Sequence, residues 1–210
     1  MSFCPLRLDI AALPAFAAPF DLATVKAHCA IDTTDFDAQL DVYMKAAVSW
    51  AEGVMHRSIL ARSHTWVISR LPDSQEPLRL PRGKTASVAT IEYSSNGVLT
   101  TLKGPTSTPP GVQYQEDLRG DDGGVLMPPR LGSWPSADTD VPAPVAVTFT
   151  AGYAAASIPS DIVHALLFAV EDMYDMRGAT DVPAAMVAGG GPRLSIRTEL
   201  LTPWNLTRWY

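Results

Sequence analysis

Cysteine is scarce in this chain: Cys4 and Cys29 are the only two in 210 residues, and they form neither a Cys-x-x-Cys pair nor a disulfide framework. That usage fits a chain folding in a reducing cytoplasm. Long apolar runs are missing too, since none approaches the roughly 20 residues a membrane span requires. The N-terminal stretch MSFCPLRLDIAALPAFAAPFD is apolar in tint, but Pro5, Pro14 and Pro19 interrupt it before any signal core can form. Basic clusters are also lacking. With 16 Lys and Arg against 22 Asp and Glu, the net charge is −6, whereas a generic phosphate binder draws on clustered cations.

Catalytic signatures are equally sparse. There is no G-x-S-x-G elbow, no phosphate-binding G-x-x-x-x-G-K-[ST] loop, no H-E-x-x-H and no dinucleotide G-x-G-x-x-G. His28, His56, His64 and His164 are scattered without ligand spacing. Glu116-Asp117 and Gly120-Asp121-Asp122-Gly123-Gly124 fall short of a complete calcium-loop pattern and read as a solvated turn. No enzyme activity, cofactor or metal is therefore expected.

What is present is packing. Asp21 can cap a helix from Leu22 to about Ala30, and Thr33 or Thr34 can cap a longer one ending near Met55 to Arg57. With Leu40 at zero and about 100° per residue, Phe36, Leu40, Tyr43, Met44, Ala47, Trp50, Ala51, Val54 and Met55 share one arc. Asp41, Lys45, Ser49, Glu52 and His56 lie opposite, on a face open to a neighbour. After Arg57 the pattern turns to short β-branched and aromatic runs at Thr65–Ser69, Leu78–Leu80, Ser87–Tyr93, Val98–Leu102, Val112–Gln115, Gly124–Met127 and Val145–Thr150. Asn96-Gly97 between two of these runs predicts a tight hairpin. Helix returns at Pro159 and runs to Arg177 before Gly178. Its polar face holds Asp161, His164, Glu171, Asp172 and Asp175, with Phe168 among them as a candidate subunit contact.

Aromatics make up only 8% of the chain, which makes their density at its end conspicuous. After Gly189-Gly190-Gly191, a hinge, the tail carries Leu201, Pro203, Trp204, Asn205, Leu206, Arg208, Trp209 and Tyr210. Either it folds back onto its own core or it docks into a partner. Docking is favoured because the triglycine gives it reach, and because Trp, Tyr and Arg are enriched at binding hot spots.

The helix pair also carries a likeness. The Ile31-Asp32-Thr33-Thr34-Asp35 turn, the Ala46-Ala47 and Ala51-Glu52 pairs and Arg57 are followed in order by Leu80-Pro81-Arg82-Gly83, Ser87-Val88, Tyr93, Val147-Thr148-Phe149, Ala151-Gly152-Tyr153, Pro159 and Met173-Tyr174 with Arg177. Over about residues 22 to 178 this resembles the head–tail connector, or adaptor, proteins of tailed phages, with relatives in phage-like gene transfer agents. The resemblance implies a non-enzymatic homo-oligomeric ring, most often of twelve subunits, at the head–tail junction of a virion or phage-like particle assembled in the bacterial cytoplasm. It further implies a portal protein on one side and a stopper or tail-completion protein on the other, with DNA passing through the lumen. An acidic lumen would repel the phosphates. The simplest connectors are nearly all helix, and this chain departs from them by its β segment.

The expected fold is thus α+β: a helical core of two N-terminal helices and one C-terminal helix, interrupted by a small antiparallel β insertion. The expected organisation is an arm at 1–20, helical core at 21–60 and 154–178, β insertion at 61–153, linker at 179–192 and docking tail at 193–210. Asp41, Lys45, Glu52, Phe168, Glu171 and Asp172 are the candidates for ring interface or lumen. Three alternatives remain: a ligand-binding β module with Trp66, Tyr93, Tyr114 and Trp134 lining a groove, a small hydrolase using Asp121, Asp122 and His64, or a different tail-completion or stopper component.

Overall fold

A computed structural model describes residues 5–10, 19–105, 113–177 and 198–206. They fall into two compact units, one made of Ala61–Gly152 with the N-terminal strand, the other of Pro14–Leu60 and Tyr153–Tyr210. The architecture is mixed, with α-helices and antiparallel β-sheets.

In the helical unit, α1 (Leu22–His28) begins where Asp21 accepts from the Thr24 N–H at 2.8 Å. These bonds from Thr24 hold the Asp21 carboxyl below the usual carboxylate range. Helix α2 (Asp37–Met55) starts later than Thr33 or Thr34 would place it. The intervening residues make a separate turn, in which the Asp37 N–H donates to the Thr34 carbonyl at 3.2 Å, and Phe36 becomes the residue before the helix. Asp37 then sits in the first turn, where a carboxylate suits the helix dipole, and pairs with Lys26 at 2.9 Å. Helix α3 (Ser160–Asp175) follows Pro159. The core unites Leu40, Met44, Ala47, Ala51 and Met55 of α2 with Ile162, Ala165, Leu166, Ala169 and Val170 of α3 and Val25 of α1. The apolar arc of α2 is therefore the packed one.

The β unit holds two sheets. Strands β1 (Pro5–Ile10), β2 (Arg62–Ile68), β4 (Thr85–Ser95), β5 (Val98–Leu102) and β8 (Val145–Ala151) form a five-stranded sheet in the order β1-β2-β8-β4-β5. Strands β3 (Leu78–Arg79), β6 (Gln115–Asp117) and β7 (Val125–Met127) form a three-stranded one in the order β3-β7-β6. Strand β8 alternates buried and half-buried residues along its length, with Val145, Val147, Phe149 and Ala151 turned inward. Residues 5–10, placed above in the N-terminal arm, are an edge strand of this chain's own sheet, paired antiparallel with β2. Pro5 sits where an edge strand tolerates the missing donor, and the register shifts beside it.

Candidate functional site

The C-terminal segment has a defined seat on the helical unit. Residues 198–201 are helical and lead into a 3-10 turn, Thr202–Trp204. Leu201 and Leu206 are buried, and Trp204 packs partly against the helical core. The carbonyls of a last helical turn have no partner within the helix. Asn205 supplies one, donating from Nδ2 to the Val54 carbonyl at 3.0 Å. Arg57 Nε donates in turn to the Trp204 carbonyl, with its guanidinium carbon 5.8 Å from the Trp204 ring centroid. Leu201, Asn205 and Leu206 thus serve their own fold, while Pro203 is exposed and Trp204 half so. Arg208, Trp209 and Tyr210 lie outside the described residues.

The polar flank divides in the same way. Asp41 and Lys45 are exposed and joined by an i,i+4 ion pair of 2.5 Å. Glu52 departs from expectation, because it is buried and its Oε1 accepts the Ile59 N–H at 2.8 Å. It lies only about 40° round α2 from buried Val48, and the chain after the helix folds back over that flank. Phe168, expected among the exposed groups of α3, is half-buried: it stacks on His164 at 4.5 Å and meets the edge of His28 at 5.6 Å. Glu171 approaches His28 Nε2 at 3.3 Å, an ion-pair distance without the alignment of a hydrogen bond. Asp172 is half-buried beside it in sequence. Burial pushes the Cys29 thiol up, with Glu171 and Asp175 adding to the effect, which favours its protonated form.

Neither rival site assembles. Trp66, Tyr114 and Trp134 are buried in the β-unit core, and Tyr93 packs against it, so these rings fill a core and line no groove. His64 is fully buried and stacked on Phe149 at 5.4 Å, whereas Asp121 is exposed and paired with Lys84 at 2.9 Å. Burial first, then the charges of Arg62 and Arg82, push the His64 imidazole down to about 4. Asp117 is held at about 2 by hydrogen bonds from Arg119, whose Nε and Nη2 each lie 2.9 Å from a carboxylate oxygen. Gly123 has φ +120, and an added Cβ would run into the Leu80 carbonyl, so the turn carrying Asp121 and Asp122 is built on glycine for backbone reasons. Among the described residues no group of three or more His, Cys, Asp and Glu side chains is placed to hold a metal ion, and no helix is long and apolar enough to cross a membrane.

One device escaped the sequence reading. Asp138 lies far along the chain from the β4–β5 hairpin, yet its carboxylate accepts from Ser94 Oγ at 2.7 Å and from the Asn96 and Gly97 N–H groups at 2.8 and 2.9 Å. The Gly97 and Ser94 bonds lead in holding its carboxyl below the usual range. Both turn residues have left-handed backbones, φ 52 at Asn96 and 74 at Gly97. The turn is therefore clamped from outside the hairpin.

No protein-family model and no curated protein matches the sequence. Solved structures do. A chain in a structure described as the neck of an empty GTA particle computed with C6 symmetry superposes with a TM-score of 0.71 at 18% identity, covering 98% of each chain. A chain from the neck of a native GTA particle computed with C12 symmetry gives 0.67 at 20% identity and the same coverage. A chain of the virion of a native gene transfer agent (GTA) particle gives 0.67 at 19% identity, again over 98% of each. The fold is shared end to end. The β segment is accordingly part of what this chain has in common with those neck chains.

Proposed function

We propose that this chain is a structural head–tail connector, or adaptor, that forms a ring at the neck of a phage-like particle. The observation that carries the reading is the fold match over 98% of both chains to a subunit of a GTA neck with C12 symmetry. The match includes the β segment that the simplest connectors lack. In this reading the ring joins the portal to a stopper or tail-completion protein, and DNA passes through its lumen without sequence-specific contact.

Asp41 and Lys45, with the partly covered Phe168, Glu171 and Asp172, are the ring-interface or lumen candidates; Glu52 is withdrawn because it is committed to the Ile59 N–H. Docking to the portal falls to Pro203, the open side of Trp204 and residues 208 to 210, since Leu201 and Leu206 are held by their own core. Removing 207–210 should leave the circular dichroism and melting temperature of the subunit unchanged while abolishing its co-purification with portal-bearing particles. Undiminished attachment would sink the tail-docking reading. Particles whose necks, imaged by electron microscopy, contain no ring of this chain would sink the connector itself.

A further inference from the structure

The five-stranded sheet ends in two open edges among the described residues, β1 at one end and β5 at the other. Free edges are usually blunted by charge, proline or a bulge. Strand β5, Val98-Leu99-Thr100-Thr101-Leu102, has none of these, and Val98 and Leu99 are 63% and 67% exposed. Strand β1 does carry them, with Pro5 and a register shift at its start and an exposed Arg7–Asp9 ion pair of 2.7 Å along it, yet Arg7 to Ile10 pair regularly with β2 and leave their outer backbone edge uncovered among the described residues. There too apolar groups face outward, with Leu6 at 49% and Ile10 at 37% exposure. Each strand in the order β1-β2-β8-β4-β5 is antiparallel to the next, so β1 and β5 run in the same direction. Lys103, which follows β5, and Asp9, near the end of β1, therefore lie at the same end of the sheet.

We propose that β5 of one copy pairs, in parallel, with β1 of the next copy, so that the sheet continues across the subunit boundary around the ring. This rests on the connector reading above and names the contact that closes its ring. A closed ring of more than two copies needs a heterologous interface, two different patches of one chain facing each other. The two edges of one sheet are such a pair, and both belong to the same compact unit. The backbone N–H and C=O groups that each edge turns away from its own neighbour, open to water in a single copy, can be matched in series by another strand edge. Parallel pairing brings Lys103 of one copy towards the next copy's Asp9, which Arg7 of its own strand already engages at 2.7 Å, so Lys103 would extend an existing ion pair. The Asp138 clamp keeps the start of β5 in place before the neighbour arrives, which lowers the ordering cost of association.

The test uses the full chain in assembled particles. In a Cys4→Ser, Cys29→Ser background, Arg7→Cys with Thr101→Cys, both exposed and in the same register as Asp9 with Lys103, should give, on mild oxidation, a ladder of covalent multimers ending at the closed ring, since paired strands bring Cα atoms within disulfide range. Separately, Leu99→Lys at an exposed position should keep the melting temperature of the subunit but cut ring-bearing particles by about tenfold, as loss of a central contact does. Rings that form normally with Leu99→Lys and show no cross-link in the cysteine variant would overturn strand pairing while leaving the connector reading intact. Particles without any ring of this chain would overturn both.

Discussion

His64 occupies a place where charge is costly, fully buried on β2 and stacked on Phe149. Its imidazole titrates at about 4 against an ordinary 6.5. The unfolded chain therefore takes up this proton first as pH falls, and stability is complete above 6.5, declines between 6.5 and 4, and loses no more below that. The full loss is about 3 kcal/mol. Urea titrations of the wild type and of His64→Leu should differ by about that amount in the stability lost across this window, and equal losses would remove His64 from the acid response. Glu52 gives a second residue-scale test. Glu52→Ala strips the buried Ile59 N–H of its acceptor and should cost about 1–3 kcal/mol, while Glu52→Gln, which keeps an acceptor oxygen, should cost less. Neither role was legible in the sequence. Helical periodicity places Glu52 with Asp41 and Lys45, and only the return of the chain after Met55 turns that flank inward; His64 alternates correctly in its strand, but nothing local says that its face is covered.

Elements were more legible than residues. The arc on α2, the helix after Pro159 and the Asn96-Gly97 turn stand in the structure close to where their patterns put them, because each depends on contacts a few residues apart in sequence. Strand β1 was hidden, since its partner β2 begins at Arg62 and no local pattern predicts a pairing over that separation. The Asp138 clamp was hidden for the same reason. Asp138→Ala should speed hydrogen exchange at the Asn96 and Gly97 amides while leaving Thr148 and Phe149 of central β8 protected; unchanged exchange at the turn would show that the hairpin needs no clamp. At the C-terminus, Leu206→Ala opens a fully buried site and should cost about 2–5 kcal/mol in chemical denaturation. A cost near zero would mean that the seat on α2 contributes nothing to the subunit.

At the scale of the whole molecule, the mixed α and antiparallel β architecture follows from runs of opposite periodicity in separate parts of the chain, whereas the function reading draws on the end-to-end fold match as well. The charge argument belongs here too. The excess of acid is reinforced by geometry, because Lys26, Lys45, Lys84 and Arg119 are each engaged by an aspartate of the same chain, at 2.9, 2.5, 2.9 and 2.9 Å. Cations already neutralised in this way release few counterions from DNA, and counterion release is what drives sequence-independent binding. These four cations are thus poorly placed to hold a duplex, and in the ring proposed above the net charge of −6 would be multiplied by the number of copies. Duplex DNA should show no retention by the purified protein in gel-shift or sedimentation at about 150 mM salt. Binding whose affinity fell steeply with salt would reveal a basic surface that these ion pairs do not neutralise, and would overturn the proposal that DNA passes this protein without being held.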